Sequence, residues 1–251
     1  MAEVILASDM HLDPQRPEGL ALFDRFLDEV AAGADALYLL GDLFEAWLGD
    51  DAIHPAYEPV LDRLAALAGG GTALCIQHGN RDFLMGETLA NRVRATLLPE
   101  ETVVELGGAP TLLLHGDTLC TDDTAYQQFR AQVRDPRWQA EFLALSPAER
   151  MEQAKQAREA SREAQAAVDS EITDVNAGAV ADAFRGHGVQ RMIHGHTHRP
   201  ADHALEVDGR PCRRLVLPQW TDRGGYIRCD EGDCELLAYP WGEKLPTSDG
   251  E

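Results

Sequence analysis

Few residues in this sequence could staple the chain or anchor it in a membrane. Its five cysteines, Cys75, Cys120, Cys212, Cys229 and Cys234, are odd in number, scattered and without a CxxC pair. A thiolate zinc site is thereby excluded, and thiols are expected in place of a disulfide framework. No apolar run approaches the roughly 20 residues that cross a bilayer. The opening MAEVILASDMHL has neither a basic n-region nor a cleavage site, so the chain reads as cytoplasmic. Basic residues are also short: 22 Lys and Arg against 43 Asp and Glu leave a formal charge of −21. Such a surface repels phosphate backbones and excludes broad electrostatic binding to nucleic acid or anionic lipid. A phosphate-bearing ligand would need local positive charge, which a metal ion can supply. There is no Gly/Ser-rich linker and no internal repeat, and 251 residues with 44% hydrophobic content can fill one large core.

What is present is a rhythm of short apolar runs, each ending in a polar cluster. Val4–Ala7 precedes SDMH, Leu37–Leu40 precedes GD, Ala73–Ile76 precedes QHGNRD, Thr111–Leu114 precedes HGD, and Arg191–Ile193 precedes HGHTH. Runs of this length suit strands buried on both faces. Between the early ones lie amphipathic patterns such as Leu22, Phe23, Phe26, Leu27 and Val30, and the alternation predicts an α/β sandwich. Ligands of open α/β sheets gather beyond the carboxyl ends of strands, where all five clusters fall.

From Asp123 to about Val168 helix formers replace the strands. Tyr126, Phe129 and Val133 form one apolar face, and Trp138, Phe142, Leu143 and Leu145 another. Ser146-Pro147-Ala148-Glu149 then has capping-box spacing with proline at the first helical position. The helix it begins has only Met151 as a large apolar residue before Val168, so it is expected to bury little and to lie over the sandwich as an exposed lid. A further helix is expected over TDVNAGAVADAFRGHG. After Gly209 short strands follow, with Gly224-Gly225 and 231–233 as turns, and the last residues, from Lys244, read as disordered.

The clusters contribute Asp9, His11, Asp42, Asn80, His115, His196 and His198, all oxygen or imidazole donors. Histidine is scarce, nine in all, yet three stand at 194, 196 and 198. Taken singly, the motifs have duller explanations: GD after a strand is commonly a turn or cap, and paired histidines can be loop residues. Together they exceed one tetrahedral ion and suit two divalent ions with a bridging carboxylate. Mixed nitrogen and oxygen donors favour manganese, zinc or iron. Arg81, within GNRD, is read as a bidentate phosphate ligand that neutralises developing charge.

D-x-H, GD, GNRD, a later His and GHTH in this order resemble the calcineurin-like metallophosphoesterases. The resemblance implies a four-layer αββα metallophosphoesterase sandwich and a two-metal site. It assigns Asp9, His11 and His198 to one ion, Asn80, His115 and His196 to the other, and Asp42 to the bridge. His194 falls outside that pattern. A single domain over residues 1–240 is then expected, with a helical insertion at about 123–170 and a flexible tail at 241–251.

The stretches GDLFEAWLGDD, HGNRDFLMG, LLPEE, LLHGDTLCTDD, DVNAGAV and IHGHTHRPA are similar to one branch of that family. Its members cleave the pyrophosphate of UDP-2,3-diacylglucosamine in Gram-negative lipid A synthesis, usually with Mn2+. This likeness implies attack of activated water on the α-phosphate, releasing UMP and the diacylglucosamine 1-phosphate. It adds His196 to Arg81 as a catalytic residue, and it makes Asn80, Arg81, Asp123, Tyr126, Ser161, Gln165 and His196 the substrate contacts. Where the branch commonly has Asn and Lys this chain has Gln165 and Val168, and Arg158 or Arg162 is a candidate replacement for the lysine. Trp47, Phe83, Leu84 and Met85 are candidates for an acyl-chain lining, with core packing as the alternative. The partners implied are a lipid-linked nucleotide and, weakly and peripherally, the cytoplasmic face of the inner membrane. Two other readings stay open: a phosphoesterase for soluble nucleotide diphosphates, and a non-catalytic scaffold of the same fold.

Overall fold

The computed structural model describes residues 3–166, 174–245 and 247–248, with the backbone course alone for 160–166 and 247–248. The strands are β1 (Val4–Ala7), β2 (Ala36–Leu40), β3 (Ala73–Gln77), β4 (Ala95–Leu97), β5 (Glu101–Leu106), β6 (Ala109–Leu114), β7 (Arg191–His194), β8 (Ala201–Val207), β9 (Arg210–Val216), β10 (Gly224–Cys229), β11 (Cys234–Tyr239) and β12 (Thr247–Ser248). The helices are α1 (Pro17–Phe26), α2 (Glu58–Gly69), α3 (Glu87–Val93), α4 (Thr124–Val133), α5 (Pro136–Leu143), α6 (Pro147–Ala166) and α7 (Ala177–His187). Two six-stranded sheets result, ordered β11-β10-β1-β2-β3-β4 and β12-β8-β9-β7-β6-β5.

The period-2 geometry of the central strands explains the four layers. In β1, Ile5 and Ala7 face the core shared with α1 and α2, while Leu6 faces the opposite way into the core between the sheets. In the second sheet Leu113 and Ile193 point into that same middle layer, and Leu112, Leu114 and Met192 point outward onto Val180 and Phe184 of α7. Strands buried on both faces need apolar residues at successive positions, which is why they read as unbroken runs. An aromatic knot closes the first layer: Phe26 lies edge-on to Trp220 at 5.0 Å and to Tyr239 at 5.4 Å. Truncating Phe26, which is fully buried, would cost about 3–5 kcal/mol.

Strands β1, β2 and β3 are parallel neighbours in one sheet, and β6 and β7 are parallel neighbours in the other. Their carboxyl ends open at one rim, where the loop after β7 meets the loop after β1 as His196 N–H donates to Asp9 Oδ2 at 3.0 Å. The capping box forms as expected, with Ser146 N–H and hydroxyl both donating to the Glu149 carboxylate at 2.8 and 2.6 Å.

Three expectations need correction. Cys229 and Cys234 form a disulfide. They are direct cross-strand partners at the end of the β10–β11 hairpin, a register that spacing alone did not disclose; Cys75, Cys120 and Cys212 remain thiols. Gly224 and Gly225 are not a turn but the first residues of β10. A Cβ on Gly224 would lie 2.4 Å from the Trp220 ring, so the glycine serves close packing there. Nor is the tail wholly loose: Leu245 N–H donates to Leu236 O at 3.0 Å, and Thr247–Ser248 pair with Asp202–His203 of β8. No helix among the described residues is long and apolar enough to cross a membrane.

Candidate metal centre and its cavity

The loops that leave the strand ends are laced together by backbone hydrogen bonds. Asp9 N–H donates to Gly41 O, His11 N–H to Asp42 O, Trp220 N–H to Asp9 O and Gly195 N–H to His115 O, all at 2.8–3.1 Å. Close approach requires glycine at two points: a Cβ on Gly79 would fall 2.1 Å from Asp42 Oδ1, and one on Gly195 the same distance from Asp9 Oδ2. This accounts for the glycines inside HGN and HGH. Asp9, His11, Asp42, His196 and His198 all have positive φ, and they make up five of the seven such non-glycine residues described. Backbone strain of this kind concentrates where side chains must be aimed at a common point.

The seven candidate donors do converge. His198 Nε2 lies 3.3 Å from both Asp9 Oδ1 and His11 Nε2. Asp42 Oδ2 stands 3.7 Å from His11 Nε2 on one side and 3.8 Å from His115 Nε2 on the other. Asn80 Oδ1 sits 2.9 Å from His115 Nε2 and 2.9 Å from His196 Nδ1. Among the described residues two overlapping groups able to hold a cation emerge, Asp9–His11–His198 and Asp9–Asp42–His115.

Electrostatics fit a cationic guest. Asp9 Oδ1 is buried without a hydrogen-bond partner, an arrangement that costs free energy unless a cation faces it. Burial alone would raise the Asp9 carboxyl, but the facing His198 ring, 3.3 Å away, and the charges of His115 and His11 hold it well below the usual carboxylate range. Asp42 goes the other way: burial raises it, with Asp82 and Asp9 adding to the rise. His115 is pushed up to about 9, since Asp42, Asp9 and Asp117 outweigh its burial. His196 drops to about 4, through burial first and the neighbouring His115 second. So many acids and bases sharing so little space is what divalent cations relieve when they replace protons.

Outer partners fix the rings. His115 Nδ1 is 2.9 Å from Leu40 O, leaving Nε2 for the centre, and Glu45 Oε2 stands 3.2 Å from His11 Nδ1. Carbonyl and carboxylate partners of this kind are how metal-binding imidazoles are oriented. His194 is different: it is fully buried, and its two ring nitrogens are taken up by Gly195 O and Arg214.

A cavity of about 590 Å³ joins this cluster to the helical insertion. Its lining combines His11, Asp42, Asn80, Arg81, His196 and His198 with Trp47, Phe83, Leu84, Phe129, Trp138 and Phe142. Trp138 stacks on Phe142 at 5.0 Å, and Arg134 covers Phe83 at 5.1 Å. Of the apolar lining candidates, Met85 alone does not line it and packs in the core. Asp123 lines the cavity while capping α4 through the Tyr126 N–H at 2.9 Å. Tyr126 also lines it, but its hydroxyl donates to Asp117 at 2.8 Å, where Arg130 Nε donates too. Arg158 reaches the cavity. Ser161, Arg162 and Gln165 ride on the last turns of α6, where only the backbone is described, and Val168 lies outside the described residues.

Sequence reasoning missed several residues that build the site. Asp82 is fully buried and accepts from four backbone N–H groups of the GD and GNRD loops. Glu45, Asp117 and Arg130 were equally silent, because their partners are remote in sequence or belong to no motif.

The calcineurin-like phosphoesterase family profile matches residues 2–200. The chain belongs to that family. Among curated proteins it is 50% identical to the UDP-2,3-diacylglucosamine hydrolase of Stenotrophomonas maltophilia (strain K279a) over 239 residues, 92% of this chain and 96% of that one. It is 52% identical to the protein of the same name from strain R551-3 over 233 residues, covering 90% and 94% of the two chains. A third, from Xanthomonas axonopodis pv. citri (strain 306), is 48% identical over 239 residues, covering 92% and 97%.

Proposed function

We propose that this phosphoesterase hydrolyses the pyrophosphate bond of UDP-2,3-diacylglucosamine, releasing UMP and 2,3-diacylglucosamine 1-phosphate. The observation that carries the reading is the single cavity running from the seven-donor cluster into an aromatic chamber beneath the insertion. A soluble nucleotide diphosphate would have no use for that chamber. Its volume is within the range of sites that enclose a ligand of this size class. The near-full-length likeness to proteins named for this substrate supports the same reading.

In this reading Asp9, His11 and His198 hold one divalent ion, Asn80, His115 and His196 hold the other, and Asp42 lies between them, with Mn2+ as the expected metal. Such ions, when bound, acidify water and draw electron density from phosphoryl oxygens. The chain's own residues do the rest. Arg81, whose Nε is buried and unpartnered, meets the scissile phosphate and neutralises charge that develops on it. Asn80 and His196, whose Oδ1 and Nδ1 are 2.9 Å apart, both line the cavity and orient that phosphate. Tyr126 and Asp123 border the sugar, with Ser161 and Gln165 assigned to the same region from α6. Trp47, Phe83, Trp138 and Phe142 take acyl chains out of water, at about 25 cal/mol per Å² of apolar surface covered. A lipid substrate brings the protein to the cytoplasmic face of the inner membrane by weak, peripheral contact through apolar surface, not basic charge.

The test is UMP release from UDP-2,3-diacylglucosamine with and without Mn2+, set against hydrolysis of soluble nucleotide diphosphates. Preference for the soluble compounds would sink the lipid reading; loss of neither activity in Asp42→Ala would sink the catalytic one.

A further inference from the structure

Helix α6 walls the cavity yet has almost nothing apolar with which to dock, since Met151 is exposed. Ala154 packs against the core and Arg158 stands 4.0 Å from Glu45, but the most heavily bonded anchor is Arg150, in its first turn and only 2% exposed. Nε donates to Leu145 O at 2.9 Å. Nη1 donates to Leu48 O at 2.8 Å and Asp51 Oδ1 at 2.6 Å. Nη2 donates to Asp51 Oδ2 at 2.8 Å and Leu143 O at 2.6 Å. These bonds use every N–H a guanidinium owns. They join the end of α5, the start of α6 and the loop that continues from Asp42. That loop is shaped for the guest: Gly49 has φ +112°, and a Cβ there would lie 2.8 Å from Arg150 Nη1.

Arg150 itself does not line the cavity, but Gln153, Ala154, Ala157 and Arg158 do. They follow it at i+3, i+4, i+7 and i+8, which places them on the face of the helix that Arg150 occupies. The clasp thus sets the rotation and height of the whole wall. We propose that Arg150 is a positioning residue for substrate selection: with Asp51 it fixes the α6 wall of the acyl chamber, and it governs lipid binding without touching substrate or the metal centre. The proposal rests on the functional reading above.

Arg150→Lys keeps the charge but loses the planar fork and most of the donors, and Asp51→Asn weakens the same clasp from the other side. Both are to be made in the full chain, loaded with Mn2+. Three quantities are read: turnover of bis(p-nitrophenyl) phosphate, which needs no chamber; KM and kcat for UDP-2,3-diacylglucosamine; and amide hydrogen exchange along residues 147–159. The expected result is diester turnover within about twofold of the unsubstituted protein and KM for the lipid nucleotide raised at least about tenfold. kcat should move much less, and exchange should be faster in α6 alone. Unchanged KM and exchange in Arg150→Lys would overturn the proposal. So would a parallel fall in diester turnover, which would make Arg150 a support of the whole fold. Failure of the functional reading looks different: the unsubstituted protein would then turn over the diester and leave the lipid nucleotide untouched, and both ideas would fall.

Discussion

The carboxylate of Asp82 holds the backbone of Asp42. Its Oδ1 accepts from Asp42 N–H at 3.3 Å and from Gly79 N–H at 2.8 Å, and its Oδ2 accepts from Leu43 at 2.7 Å and Phe44 at 3.3 Å. The last residue of GNRD is therefore the peg on which the loop carrying the central aspartate hangs. Asp82→Ala leaves these buried N–H groups without an acceptor and is expected to cost at least about 3 kcal/mol, as read by urea unfolding. Metal affinity should fall about 10–100-fold in calorimetric titration, as for other residues that orient ligands from behind. A variant with unaltered stability would show that the loop is held by other means.

Asp42 stands between the two histidine groups, so its loss should damage both metal positions. Asp42→Asn is expected to lower turnover at least about 10²–10³-fold. Elemental analysis should show a deficit extending beyond one ion per chain. His115→Ala offers a contrast, because that ring stands beside Asn80 and Asp42 and in the proposed assignment serves one ion alone. It should preferentially empty one position. Equal metal content in the two variants would argue against Asp42 as the bridge.

The candidate donors were legible because each follows a strand buried on both faces, and such strands announce themselves as apolar runs with abrupt polar ends. Asp9, Asp42 and His196 each lie two residues past a strand, a placement readable without knowing how the strands pair. The insertion was legible from aromatic spacing and the capping box at Ser146. Residues whose meaning lies in distant pairing were not. Arg150 and Asp51 are 99 positions apart, and nothing near either one marks it as half of a clasp. Gly224 looked like a turn because close packing against Trp220 leaves no local pattern. The Cys229–Cys234 bridge became evident only from the hairpin register.

Metal binding should also be visible as stability. Asp9, Asp42 and His115 are nearly solvent-free, and a cation that binds the folded centre and not the unfolded chain stabilises by mass action. At a free Mn2+ concentration of about 100 times Kd the gain is roughly 2.7 kcal/mol. For a domain of this size that corresponds to about 5–10 °C in Tm. Calorimetric scans with Mn2+ and with excess chelator measure it directly. Calcium, which favours oxygen ligands alone, should give a smaller shift because imidazoles dominate the donor set. Coincident scans in the presence and absence of chelator would contradict a resident metal.

The proposed acyl chamber can be separated from the chemistry by substitution of Trp138. Trp138 is partly buried, stacks on Phe142 and lies 6.3 Å from Phe83, and it belongs to neither of the groups able to hold a cation. Losing its contact with an acyl chain forfeits about 1.5–3 kcal/mol of burial, which is roughly 10–150-fold in KM for the lipid nucleotide. Bis(p-nitrophenyl) phosphate, which places nothing in the chamber, should be hydrolysed by Trp138→Ala at close to the original rate. Steady-state kinetics on both substrates give the answer in one experiment. If Trp138→Ala weakens both equally, the aromatic cluster serves the fold and not the lipid.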